Sequence, residues 1–195
     1  MEYILPKSKF SYSQWDLWTK SPKSYRKRYY YEGSYKLNTP AIKLGREIAR
    51  KLENKDPELN HIKQYSNPEH MIEYEILGIT IISYIDTFNP KTNKFLEYKT
   101  GKHAWTEKKV NKHKQLDFYS YMIQKVHGEV CDECELHWIE STDKLRTRSI
   151  PPRLTGKVEV FKREITQEER DEIEESIIKA IKEIHDDYKE WRENN

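Results

Sequence analysis

Residues 79–100 constrain the fold of this chain more than any other stretch of its sequence. Apolar and polar residues alternate over residues 79–88, turn-forming Asn89 and Pro90 follow, and residues 95–100 make a second short run. Alternation on both sides of a polar turn is typical of two antiparallel strands joined as a β-hairpin. The stretch therefore predicts a hairpin, which fixes the side chains that lie opposite each other.

Three charged residues occupy matching positions in this hairpin. Glu97 and Lys99 are two residues apart, so their side chains point to the same face of one strand. If the hairpin is symmetric about its turn, Asp86 lies directly opposite Glu97, at about 5 Å. Two carboxylates at that distance destabilise a sheet unless positive charge lies between them.

Lys99 can supply part of that positive charge, and a divalent cation the rest. Carboxylate oxygens with open coordination positions suit Mg²⁺ or Mn²⁺, and such a site suits hydrolysis of a phosphodiester. The alternative is a solvated hairpin with a surface ion pair, because charged residues make up 35% of the chain.

The order of these residues resembles the signature of the PD-(D/E)XK nuclease superfamily, in which an aspartate precedes Glu-x-Lys, here by ten intervening residues. The proline that leads this signature is Ile85 in this chain. The upstream segment SYSQWDLWTKSPKSYRKRYY resembles the opening of the RecB-like branch, with a serine where that branch commonly has cysteine. The matching residues are Ser11, Ser13, Pro22 and Tyr25, and the substituting serine is Ser21.

Two further motifs of the RecB-like branch follow in its usual order. The segment KLGREIARKLE resembles the Gly-x-x-x-His-x-x-x-Glu helix, with Gly45 and Glu53 retained and Ala49 in the histidine position. The segment HKQLDFYSYM contains Gln115 and Tyr119, which match the Gln-x-x-x-Tyr motif after the catalytic hairpin. Four motifs in one order favour membership of this branch over chance similarity.

The resemblance implies a role for each residue of the hairpin motif. Asp86 and Glu97 would bind the metal, together with the backbone carbonyl of Tyr98. Lys99 would position the attacking water, encourage its deprotonation and offset the charge that develops on the phosphate.

The resemblance also implies roles outside the hairpin. Relatives use the histidine at the Ala49 position as a metal ligand, so Glu53 and Glu73 are candidate substitutes, although an exposed glutamate is the ordinary alternative. Gln115 and Tyr119 share a helix face that in the family borders the active site and contacts the lysine or the DNA backbone. The alternative for Tyr119 is a core position.

Basic residues concentrate near the N-terminus, although the net charge of the chain is only +2. Lys23, Arg26, Lys27 and Arg28 are interleaved with tyrosines in the segment KSYRKRYYY. Such a segment could bind DNA phosphates and stack on unpaired bases. The alternative is a solvated helix whose tyrosines pack inward.

The two cysteines allow one alternative site. His127, Cys131, Cys134 and His137 have a spacing that a small zinc site could use, but a helix end that leads into a strand explains the same residues. Some RecB-like nucleases hold an iron–sulfur cluster on four cysteines. Two cysteines are too few, so no iron–sulfur cluster is expected.

Local patterns and the resemblance agree on an α/β fold. We expect a restriction-endonuclease-like core, with a central mixed β-sheet flanked by helices and a long C-terminal helix that starts at the Thr166–Glu169 capping box. The expected helices span residues 11–19, 40–52 and 107–126, and further strands lie near 72–76, 135–141 and 157–163. One nuclease domain should span residues 1–195, as an N-terminal helical basic segment (11–37), a catalytic core (40–163) and a C-terminal helix (166–193).

Together these features predict a metal-dependent DNA nuclease, expected to be an exonuclease in recombination, repair or phage DNA processing. The implied partners are DNA, a recombinase or single-strand annealing protein, and further copies of the chain. No apolar run reaches the length of a membrane span, no signal-peptide core is visible, and the two cysteines indicate the cytoplasm, or the host cytoplasm for a phage protein. The alternative, which Ala49 favours, is a catalytically silent DNA-binding or adaptor protein that retains the fold.

Overall fold

A computed structural model describes residues 2–31, 39–128, 131, 133–142 and 152–194. Within these residues the chain forms a six-stranded mixed sheet flanked by helices, which confirms the predicted α/β fold. The strands are β1 (Lys9–Ser11), β2 (Asn67–Ile76), β3 (Ile79–Asn89), β4 (Lys94–Gly101), β5 (Glu133–Ser141) and β6 (Leu154–Glu164).

Strand β3 organises the first half of the sheet. It pairs antiparallel with β2 along nearly its whole length, parallel with β1 near its start, and antiparallel with β4 at its end. Strand β4 then pairs parallel with β5, and β5 pairs antiparallel with β6. Parallel neighbours need a crossover connection, which the helices between β4 and β5 supply.

The long C-terminal helix begins where the sequence predicts. The Thr166 hydroxyl accepts the backbone N–H of Glu169 at 3.2 Å, and the Glu169 carboxylate accepts the N–H of Thr166 at 3.0 Å. No helix among the described residues is long and apolar enough to cross a membrane. The helices are α1 (Tyr12–Lys20), α2 (Pro22–Tyr29), α3 (Pro40–Glu53), α4 (Glu107–Asn111), α5 (Lys114–His127) and α6 (Gln167–Glu193), with a 3₁₀ turn at Pro57–Leu59.

Helices cover both faces of the sheet. The larger part of the core lies between the sheet and helices α1, α5 and α6. On the other face, Ile48 and Leu52 of α3 pack with Ile139 of β5 in a smaller cluster. Trp138 belongs to the larger cluster, and neighbouring residues of a strand point to opposite faces, so α3 lies across the sheet from α5.

The continuous helix predicted over residues 107–126 is wrong, because the chain turns between α4 and α5 at Lys112 and His113. The guanidinium of Arg163, on β6, donates to the backbone carbonyl of Val110 at 3.4 Å and to that of His113 at 3.2 Å. These bonds satisfy carbonyls that a continuous helix would have bonded internally. A contact across 50 residues leaves no local signal in the sequence.

Candidate active site

The hairpin of β3 and β4 has the predicted register. Thr87 of β3 pairs with Leu96 of β4, so the next position along places Asp86 opposite Glu97. The described ladder between β3 and β4 ends before that position. There, the Oδ2 atom of Asp86 accepts the backbone N–H of Tyr98 at 2.7 Å. The carboxylate of Asp86 thus accepts the N–H that a main-chain carbonyl of β3 would accept if the ladder continued. Asp86 lies at the point where β3 and β4 diverge.

Lys99 connects the hairpin to α5 through hydrogen bonds. Its Nζ atom contacts a carboxylate oxygen of Glu97 and donates to the Oε1 atom of Gln115 at 2.7 Å. The Nε2 atom of Gln115 in turn donates to the hydroxyl of Tyr119 at 2.7 Å. Gln115 and Tyr119 are four residues apart on α5, as the Gln-x-x-x-Tyr motif requires. The structure therefore brings the lysine, one acid and both motif residues into one chain of contacts.

The two carboxylates carry more negative charge than their surroundings neutralise. Burial raises the pKa of Asp86 well above its ordinary value, and the charge of Glu97 raises it further. The N–H of Tyr98 and the ammonium of Lys99 act in the opposite direction but do not offset this. Glu97 is 2% exposed.

The Oε2 atom of Glu97 is buried and has no hydrogen-bond partner among the described residues. A buried carboxylate oxygen without a partner is costly, and a divalent cation between Glu97 and Asp86 would satisfy it. In the part of the chain that the structure describes, no three His, Cys, Asp or Glu side chains converge as a ready metal cluster. The two acids would therefore share a metal with main-chain and water oxygens, which suits a hard cation.

A cleft of about 440 Å³ lies between α3 and strand β4. Its lining includes Asp86, Glu97 and Lys99 together with Arg46 and Ala49 of α3. Ala49 thus lies beside the acids, as its place in the helix motif implies, and its methyl group offers no metal ligand. Arg46 was not a sequence-predicted site residue, because nothing local distinguishes it from the other basic residues of α3.

Two glutamates share a second, smaller recess with Asp86. Glu53, the last residue of α3, is exposed and lines this recess, so it remains a candidate ligand. Glu69 lines it too, and the pairs on either side place it opposite Asp86 with a left-handed φ of 43°. No sequence motif points to Glu69, since the alternating pattern predicts a strand that begins only near residue 72. Glu73, the other candidate, instead contacts Lys9 in an ion pair.

His113 is a second residue beside the site that sequence reasoning missed. Burial and then the positive charge of Lys99 lower the pKa of His113 to about 4. Its Nε2 atom is buried without a hydrogen-bond partner among the described residues. Its ring packs edge-on against Trp105, with 4.9 Å between centroids. A neutral histidine thus flanks the lysine and adds no charge to the site.

The predicted DNA-binding segment forms α2, and its tyrosines largely pack inward. Tyr25 and Tyr30 are buried, as the alternative of a solvated helix predicts. Arg26 is exposed but donates to the Oδ2 atom of Asp187 at 2.8 Å. The remaining basic side chains, Lys23, Lys27 and Arg28, are exposed or half-buried. Residues 32–37, which end the predicted N-terminal helical basic segment (11–37), lie outside the described residues.

The residues of the zinc alternative do not assemble as a site. Cys131 and Cys134 are buried and form no disulfide. The Nε2 atom of His127 lies 3.5 Å from that of His70, and His137 contacts Glu135 at 2.8 Å. Each histidine therefore has a different partner. As the alternative predicts, helix α5 ends at His127 and strand β5 begins at Glu133.

The fold and the diverging hairpin, with two acids and a lysine where its strands part, match the arrangement that the hairpin motif predicts. The sequence pattern of the PD-(D/E)XK nuclease superfamily matches residues 17–194. The chain belongs to this superfamily, as its motifs predict. No curated protein sequence matches the chain.

Several solved structures share this fold. An alkaline exonuclease from Laribacter hongkongensis aligns with a TM-score of 0.60 at 15% identity, over 96% of this chain and 93% of its own. The same exonuclease in complex with dAMP aligns with a TM-score of 0.58 at 14% identity, over 97% and 94%. A phage-related exonuclease from Haemophilus somnus aligns with a TM-score of 0.51 at 13% identity, over 81% and 76%. At these identities the likeness establishes the fold alone.

Proposed function

We propose that this chain is a metal-dependent deoxyribonuclease. The observation that supports this most directly is the buried Oε2 atom of Glu97, unpartnered within the described residues, next to Asp86 and Lys99. Bound between the two carboxylates, Mg²⁺ or Mn²⁺ would polarise the scissile phosphate and lower the pKa of the attacking water. The backbone carbonyl of Tyr98 would complete the set of protein ligands, and Glu53 is the candidate for a further one.

Lys99 would hold the attacking water and offset charge on the phosphate. Its ammonium is fixed between Glu97 and Gln115, so it is oriented before substrate arrives. Gln115 is itself fixed by the Tyr119 hydroxyl. Tyr119 is only 6% exposed, so its contribution would come through Gln115 rather than through a direct contact with DNA.

The family and the neighbours' names support the proposed substrate class. The aligned structures are named exonucleases, which favours removal of nucleotides from a DNA end over internal cutting. The exposed cations Lys23 and Lys27 and the half-buried Arg28 are candidates for contact with the DNA backbone away from the site. A role in recombination, repair or phage DNA processing, with a recombinase or annealing protein as partner and several copies around the DNA, fits such an activity.

The test uses linear duplex and single-stranded DNA, labelled at either end, with Mg²⁺, Mn²⁺ or a chelator. Wild-type protein should degrade DNA only with metal, and the order of label release gives the polarity. The Lys99→Ala variant should lose cleavage by at least about a hundredfold while it still binds DNA. Lys94→Ala is the matched control, because Lys94 lies on the same strand but pairs with Glu133 at 2.7 Å. Cleavage by Lys99→Ala at the wild-type rate would refute the mechanism.

Ala49 supports one rival, a silent DNA-binding or adaptor protein with the same fold. It lines the catalytic cleft where relatives have a metal-binding histidine. Calorimetric titration with Mn²⁺ separates the two proposals. A nuclease should bind Mn²⁺ in the wild-type protein and lose that binding in Asp86→Ala, whereas a silent protein should bind it weakly and show no such dependence.

A further inference from the structure

Helix α3 lies close to the catalytic strand at Gly45. A Cβ atom at this position would lie 3.2 Å from the Oγ1 atom of Thr100, which is tighter than ordinary contact, so a glycine permits the approach. Arg46 and Ala49 follow within one helical turn, and both line the cleft that contains Asp86. The close approach therefore places Arg46 in the lining of the cleft that contains both acids.

Three of the other charged residues of α3 lie away from this cleft, while Glu53 lines the smaller recess that also contains Asp86. Lys43, Glu47 and Lys51 recur every four residues and line a separate groove, where Lys51 pairs with Glu58 at 2.6 Å. Arg46 is exposed, and no described residue forms an ion pair with it. The Arg46 guanidinium, which no described residue pairs with, is therefore available to bind a ligand in the cleft.

The charge of the cleft indicates which ligand this is. Asp86 and Glu97 would be occupied with the metal, and the ammonium of Lys99 is held by Glu97 and Gln115. Arg46 is the cleft-lining cation that no described side chain neutralises. A guanidinium stays protonated, so it does not ligate metals, but its planar donors match two oxygens of a phosphate.

We propose that Arg46 binds a phosphate of the substrate strand next to the scissile bond. The helix that supplies a metal-binding histidine in relatives would here recognise substrate instead. This assignment rests on the proposed nuclease function for the identity of the ligand. It concerns binding, however, and can be measured without turnover.

The experiment measures the affinity of a fluorescent linear duplex for the Lys99→Ala protein in Mg²⁺, by anisotropy over a range of salt concentrations. Adding Arg46→Gln should weaken binding about tenfold, as expected for one charged hydrogen-bonded contact. The dependence of log K on log salt should become shallower by about 0.7 to 0.9, the value of one phosphate contact. Arg46→Lys should recover part of the loss, because it keeps the charge without the two-pronged geometry.

Arg50→Gln is the matched control, because Arg50 is exposed on the same helix and does not line the cleft. It should leave both the affinity and the salt dependence unchanged. In otherwise wild-type protein, Arg46→Gln should raise KM about tenfold and change kcat less than about threefold, since the contact exists before and during reaction.

Two results would overturn the assignment. One is an Arg46→Gln protein with unchanged affinity and salt dependence, and the other is an equal loss in Arg50→Gln, which would indicate only general attraction. If wild-type protein binds DNA through Arg46 but never cleaves it, the nuclease proposal fails and the phosphate contact stands. Arg46 is exposed, so its variants should keep the wild-type melting temperature, and Arg46→Lys provides a second variant in any case.

Discussion

Acid should destabilise this protein through His113, the residue that precedes α5. Burial lowers the pKa of His113 from 6.5 to about 4, and the positive charge of Lys99 acts in the same direction. The ring is enclosed by aromatic neighbours, with 4.9 Å between its centroid and that of Trp105 and 6.5 Å to that of Tyr12. In the unfolded chain a histidine has its ordinary pKa of about 6.5.

Between about pH 6.5 and pH 4, His113 is therefore protonated in the unfolded chain but neutral in the folded chain. The folded-state pKa is the lower one, so stability is complete above pH 6.5 and falls as the pH falls through this window. The two pKa values, 6.5 and about 4, differ by about 2.5, which corresponds to about 3 kcal/mol once the pH is below both. At pH 5 the loss from this one group is about 2 kcal/mol.

The assay is urea unfolding of wild type and His113→Gln at about pH 8 and about pH 5. Between these pH values, wild type should lose about 2 kcal/mol more of its free energy of unfolding than the variant loses. Other titrating groups contribute equally to both proteins, so they cancel in the comparison. His61→Gln is the control, because His61 is exposed, and it should behave as wild type. An equal loss in wild type and His113→Gln would contradict the reasoning.

Two more changes have defined outcomes. Ala49→His places an imidazole in the cleft beside Asp86, so calorimetry should show at least about tenfold tighter Mn²⁺ binding, while Arg50→His, on the exposed side of the helix, should leave it unchanged. Thr166→Ala removes the side-chain acceptor for Glu169 at the start of α6, so urea unfolding should show a loss of about 1 kcal/mol that Thr166→Ser largely avoids.

The sequence predicts the hairpin of β3 and β4 well because the pattern that defines it is local. The alternation on either side of Asn89 and Pro90 sets the register, and the register alone puts Asp86 opposite Glu97. The same holds for α6, whose capping residues lie three positions apart. Residue spacing determines these features before any tertiary contact forms.

Features that depend on how distant elements dock could not be predicted in the same way. Arg46 lines the cleft only because α3 crosses β4 at Gly45, a contact with Thr100 that spans 55 positions of the chain. Arg26 has no acidic neighbour in the sequence nearby, yet its partner Asp187 is 161 residues away. In both cases the neighbouring sequence does not indicate whether the basic residue pairs with an acid or lines a cleft.

The placement of Lys99 depends on elements far beyond the hairpin. Arg163 of β6 is buried, contacts Asp117 of α5 and pairs with Glu169 of α6 at 2.8 Å. It also donates to the carbonyl of His113, so it fixes the first turn of α5 from both sides. That turn carries Gln115, which accepts a hydrogen bond from the ammonium of Lys99.

Truncation of the Arg163 side chain would therefore leave the buried carboxylate of Asp117 with Lys114 as its cationic partner, at 3.1 Å, and release the residue that orients Lys99. The C-terminal strand and helix thus act on the active site through one guanidinium, although they contribute no proposed catalytic side chain. This dependence gives a physical reason for the family pattern to extend to residue 194, well past the last catalytic motif. It also means that the hairpin alone, however well its sequence defines it, is not sufficient to build the site.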